Sequence, residues 1–158
     1  MPYTRTLTRH IAAEPTRVFD VLSDVARYPV WVPNMIRVER QDEGPLSPGS
    51  RWQETLRTLK ADSVDTTDRR EAEIVDRPTR LRVLTLTARP ERNKSAISED
   101  YRLRADGSST VLDATLTIAY GGTGLAGAFS RVIEHLTGPF MARILSEKLD
   151  GLQRVMDT

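Results

Sequence analysis

The sequence predicts an α+β fold: one strand, short helices, an antiparallel meander and a helical C-terminus. Three observations carry it. Residues 3–11 alternate like a strand and give way, after Ala12-Ala13-Glu14-Pro15, to apolar residues at helical spacing. Several alternating stretches then follow one another, separated by turn signals. After Gly121-Gly122-Thr123-Gly124 the apolar period becomes helical and stays so to the end.

The first strand puts Tyr3, Leu7 and Ile11 on one face, with Arg5 and Arg9 among them. Pro15 suits a first helical turn, where its missing N–H is not needed. Val18, Phe19, Val21 and Leu22 make a narrow apolar stripe, and Asp24 is placed to cap a further turn over Val25–Tyr28. Tyr28-Pro29-Val30-Trp31 reads as a structural wedge outside the sheet. Strands are expected over 35–40, 51–59, 70–76, 81–88, 96–104 and 110–120, with 42–49, 60–67 and 105–109 as turns or loops. In the C-terminal region, Leu125, Phe129, Val132, Leu136 and Phe140 form one stripe; Ile144, Leu145, Leu149, Leu152 and Met156 form another. At about 100° per residue the two stripes lie on opposite sides of a single helix. A break at Thr137-Gly138-Pro139 is therefore expected, dividing helices over 124–137 and 139–156.

The 158 residues fit one domain, 1–158, with no linker or repeat. A net charge of +1 gives no general attraction to nucleic acid, and the arginines are interleaved with acidic residues. There is no cysteine, which excludes disulfides and thiolate chemistry. No apolar run has the length of a membrane span, and Met1-Pro2-Tyr3-Thr4-Arg5 does not open a signal peptide. A soluble, cytoplasmic protein without integral membrane association is the expectation.

Reactive constellations are sparse. The two histidines, His10 and His135, have no ligand spacing, so neither metal nor cofactor is expected. His10 is expected in solvent and His135 half-buried. Gly121-Gly122-Thr123-Gly124 lacks the Lys-Ser/Thr of a phosphate loop and reads as a flexible turn. What remains is polar groups on apolar faces: Glu54 between Trp52 and Leu56, Glu99 beside Ile97 and Tyr101, Arg9 beside Ile11. Two explanations stay open: strands wet on both faces, or a water-accessible cavity in which Arg and Glu pair and address a ligand's polar end.

Several segments carry a family resemblance: Arg9-His10-Ile11-Ala12-Ala13-Glu14-Pro15-Thr16-Arg17-Val18-Phe19, Leu22-Ser23-Asp24, Tyr28-Pro29-Val30-Trp31, Gly49-Ser50-Arg51-Trp52-Gln53-Glu54, Leu136-Thr137-Gly138-Pro139-Phe140-Met141 and Leu149-Asp150-Gly151-Leu152. Together they resemble the START-like, helix-grip superfamily, in its bacterial polyketide cyclase/dehydrase and lipid-transport (SRPBCC) branch. The resemblance implies a curved antiparallel sheet of six or seven strands around a long C-terminal helix, with two short helices after the first strand. It also implies a small hydrophobic ligand between sheet and helix, lined by Trp52, Glu54, Leu56, Tyr101, Leu116, Ile118, Phe140, Met141, Ile144 and Leu145. Binding or transport without catalysis is the first expectation. The second is an aromatase/cyclase-type enzyme, with Glu54, Glu99, Tyr101, Arg9 and His135 as candidates for proton transfer. A protein-interaction module of the same fold is the third. Ligand identity and oligomeric state are not legible.

Overall fold

The structure is a computed structural model; it describes residues 2–57, 65–86, 97–119 and 124–158, without the side chains of 124–127, 129–131 and 133. The strands are β1 (Tyr3–Ile11), β2 (Met35–Arg40), β3 (Arg51–Leu56), β4 (Thr66–Asp76), β5 (Arg80–Leu86), β6 (Ile97–Asp106) and β7 (Ser109–Ile118). The helices are α1 (Pro15–Ser23), α2 (Tyr28–Trp31) and α3 (Gly124–Met156), with one 3-10 turn, Val25–Arg27, before α2. All seven strands join one antiparallel sheet in the order β1-β7-β6-β5-β4-β3-β2. Chain order is kept from β2 to β7, and β1 closes the far edge beside β7. This is the helix-grip arrangement that the sequence motifs imply.

Strand alternation sorts side chains onto two faces. The face turned to the helices carries Ile11, Trp52, Leu81, Val83, Tyr101 and Leu116, all buried. The opposite face carries threonines and ion pairs such as Arg51–Glu71, Arg80–Asp100 and Arg82–Glu73. β4 begins at Thr66, four residues before the expected Arg70, and β7 ends at Ile118, two residues before the expected Tyr120; β5 is described as far as Leu86, and the rest of its expected span lies outside the described residues. The first half of β4 reads Thr-Thr-Asp-Arg-Arg, with no apolar alternation to announce it. Neighbouring strands on both sides supply its ladder bonds instead. The expected turns over 60–64 and 121–123 lie outside the described residues.

Val18, Phe19 and Leu22 of α1 are buried, and Pro15 opens that helix as expected. Asp24 stands at the N-cap of the following turn, but its side chain makes no cap; its carbonyl takes the N–H of Arg27 at 3.1 Å. Trp31 packs edge-on against Tyr28, with ring centroids 5.0 Å apart, and belongs to the core as a wedge.

The expected helix break does not occur. α3 runs unbroken for 33 residues, with Pro139 inside it. The opposed stripes are real, but the conflict is resolved by exposure: Val132, Leu136 and Phe140 are 55%, 73% and 56% exposed. Leu145, Leu149, Leu152 and Met156 are buried against the sheet and short helices. Pro139 removes one intrahelical hydrogen bond, to the carbonyl of His135. Both residues are exposed, so water can take the missing donor's place. Gly138 serves contact: a Cβ there would sit 2.6 Å from the Tyr3 ring of β1. The C-terminal half of α3 is clamped to β1 by Arg9, which donates to Asp150 (3.2 Å) and Ser146 (2.8 Å), and by Gln153, which donates to the His10 carbonyl (3.1 Å).

Candidate functional site

Four charged side chains meet on the concave face of the sheet. Glu54 comes from β3, Arg70 from β4, Glu99 from β6 and Lys148 from α3; each side chain is less than a tenth exposed. Register brings them together. Arg70 pairs across the sheet with Trp52 on one side and Thr85 on the other, so it stands between β3 and β5 on the inner face. Its guanidinium donates to Glu54 Oε2 (3.2 Å), to Thr85 Oγ1 (2.8 Å) and to Glu99 Oε1 (3.2 Å). The other Glu54 oxygen accepts from Trp52 Nε1 at 2.9 Å. Glu99 Oε2 accepts from the Tyr101 hydroxyl and from Lys148 Nζ, the latter at 3.3 Å. The Lys148 ammonium also lies over the Tyr28 ring, 4.6 Å from its centroid, and 5.3 Å from that of Tyr101.

Two cations and two anions balance, and every carboxylate oxygen has a donor. Such a cluster is tolerable in an apolar interior only when saturated in this way. Burial pushes Glu99 upward in pKa, but Lys148, Arg70 and the hydrogen bonds from Tyr101 and Lys148 outweigh it; its carboxyl lies well below the usual range. Burial works against the charge of Arg70, yet Glu54, Glu99, Asp68 and Tyr101 raise it further above the ordinary guanidinium value. Tyr28 and Tyr101 are held protonated, first by burial and then by the neighbouring carboxylates. These groups therefore offer fixed charge and fixed donors at neutral pH, not a mobile proton.

The sequence candidates are sorted by this geometry. Glu54, Glu99 and Tyr101 converge in one cluster. Arg9 lies at the sheet edge, committed to Asp150 and Ser146. His135 is exposed rather than half-buried, so the half-buried expectation is corrected: the buried Glu134 beside it takes the inward position, and His135 falls on the outward side of α3. Among the lining candidates, Trp52, Leu116, Ile118 and Leu145 are buried, and Leu56, Met141 and Ile144 partly so. Phe140 shares the exposed stripe with Val132 and Leu136. Sequence patterning does not single out Arg70 or Lys148. Lys148 carries a signal all the same: it falls three residues after Leu145 and four before Leu152, a core position for a helix. Arg70 carries none, because the strand around it has no apolar alternation.

Among the described residues, no group of His, Cys, Asp and Glu is arranged to hold a metal ion. No described helix is long and apolar enough to cross a membrane. A separate cleft of about 300 Å³ lies away from the cluster, among Asp20, Ser23, Arg40, Leu46 and Arg77. Its cations are already paired, Arg77 with Asp20 and Arg40 with Asp42.

This architecture is that of a START-like, helix-grip protein. The chain belongs to the polyketide cyclase / dehydrase and lipid transport family, whose model matches residues 4–157. Its fold is similar to that of the Zhui aromatase/cyclase from Streptomyces sp. R1128, with a TM-score of 0.70 at 17% identity over 99% of this chain and 94% of that one. It is similar as well to the di-domain ARO/CYC StfQ of the steffimycin biosynthetic pathway, with a TM-score of 0.74 at 11% identity; 99% of this chain covers 52% of that one. The protein TTHA0849 from Thermus thermophilus gives a TM-score of 0.66 at 17% identity, over 98% of this chain and 97% of that one. At these identities the likeness concerns the fold alone. A search of curated proteins returned no match.

Proposed function

We propose that the chain binds a small hydrophobic molecule between the concave face of the sheet and α3, and holds or carries it without chemical change. The observation that carries this reading is the buried cluster of Glu54, Arg70, Glu99 and Lys148 in a largely apolar face. Net neutral charge with fixed donors suits recognition of a ligand's polar end. Trp52, Leu116, Ile118, Leu145 and the partly buried Leu56, Met141 and Ile144 supply the apolar contact; Met141 adds an adaptable side chain.

The convergence of Glu54, Glu99 and Tyr101 favours an aromatase/cyclase-type enzyme as the second reading. In that case Arg70 and Lys148 would steady developing negative charge on a polyketide oxygen. The protonation states favour binding, since Glu99 and both tyrosines are held away from the pKa range in which a general acid or base works at neutral pH.

Native mass spectrometry of protein purified without delipidation, followed by titration with the neutral fluorophore 1-aminoanthracene, tests the reading. Saturable binding at one site per chain supports it. Absence of both co-purified ligand and saturable fluorophore binding contradicts it. Turnover of a polyketide substrate, lost in Arg70→Gln, would replace it with the enzyme reading.

A further inference from the structure

Among the described residues, Asp68 is the one acid on the inner face of the sheet that stands outside the balanced cluster. It lies directly across from Glu54 in the β3–β4 register and two residues before Arg70 on the same face. It is half-buried, and among the described residues no donor or cation bonds to it. It lies nearer than Arg70 to the strand ends at Leu56 and Thr66.

The described charges around it are already committed. Arg70 is spent on Glu54, Thr85 and Glu99, and Lys148 on Glu99 and two aromatic rings. Arg9 pairs with Asp150 at the edge, and Arg5 is exposed. Glu134, buried on α3, is one more acid rather than a cation. Burial raises the pKa of Asp68; Arg70 opposes the rise, and Glu54 and Glu99 add to it. A carboxylate-bearing ligand would bring a second anion beside Asp68, where Arg70 and Lys148 are already committed to Glu54 and Glu99. A neutral ligand with a hydroxyl would supply the hydrogen-bond donor that Asp68 lacks.

We infer that Asp68 is a specificity-determining residue of the binding site: it accepts a hydrogen bond from a neutral hydroxyl-, enol- or phenol-bearing apolar ligand and excludes apolar carboxylates. This deepens the binding reading above and rests on it. Discrimination of this kind depends as much on the unpaired charge built against the wrong ligand as on the bond to the right one.

The test uses two ligands of nearly one shape, 2-naphthol and 2-naphthoate, displacing 1-aminoanthracene from the full chain at neutral pH. The wild type is expected to prefer naphthol by roughly tenfold or more, the scale of an unpaired desolvated charge. Asp68→Asn keeps the shape, removes the charge and should collapse that preference; Asp106→Asn, on the exposed β6–β7 turn, should leave it intact. Equal or tighter binding of naphthoate to the wild type overturns the inference, as does a full preference surviving in Asp68→Asn. In both cases fluorophore binding persists and the broader reading stands. Failure of the fluorophore and both naphthalenes to bind would remove the broader reading and this inference together.

Discussion

Arg70 ties β4 to three other strands, β3, β5 and β6, through a single guanidinium. Its removal would leave Glu54 and Glu99 buried with less than their neutralising charge. Arg70→Ala is expected to cost about 3–5 kcal/mol of unfolding free energy, measured by urea denaturation, because breaking a buried ion network strands its partners. The acids respond to pH in opposite senses. Glu99 has a folded-state pKa below its unfolded value, so its contribution is full above the unfolded pKa and lost as pH falls through the folded one. Unfolding free energy should therefore decline on acidification below about pH 4.3, the unfolded glutamate value, and Glu99→Gln should flatten that decline. Asp68 is raised instead, so it weakens the fold when ionised and ceases to do so once protonated. Asp68→Asn should stabilise the protein at neutral pH, with the gain closing towards acid pH in a denaturation series. A destabilising group retained on the inner face is what a ligand-recognition role would require. At this scale the sequence is half informative. Glu54 and Glu99 stand out because each interrupts an apolar alternation, whereas Arg70 and Asp68 lie in a strand with no such pattern to interrupt.

The long helix has two halves with different work. Its C-terminal half packs closely enough that Gly151 meets the Trp31 carbonyl, where a Cβ would collide with the oxygen. Gly151→Ala is expected to destabilise by about 1–3 kcal/mol, since backbone rather than a flexible side chain must move. Leu149→Ala should cost about 2–5 kcal/mol as a buried cavity, and Leu136→Ala less than about 0.5 kcal/mol as an exposed truncation. Thermal and urea unfolding of the three variants side by side would check that gradient. The opposed apolar stripes are legible in the residue order, and so is Pro139. Residue order does not decide whether the chain bends to bury both stripes or leaves one in water. Helical spacing reports an apolar face but not what covers it. Phe140 is the consequence: a lining candidate by resemblance, it stands on the outward stripe.

For the whole molecule, alternation and turn residues locate seven strands, and the motifs from Arg9 to Trp31 set how the chain enters the sheet. The order of the sheet, with β1 carried across to pair with β7, is not legible in any local pattern. The proposed recognition of an apolar ligand would be a property of this assembled concave face, since its charged cluster draws on β3, β4, β6 and α3 at once. Amide chemical-shift mapping during titration with 1-aminoanthracene tests that most directly. The account predicts saturable shifts at Trp52, Arg70, Tyr101, Leu116 and Leu145. Shifts confined to the cleft around Asp20, Arg40 and Arg77, or no saturable shifts at all, would contradict it.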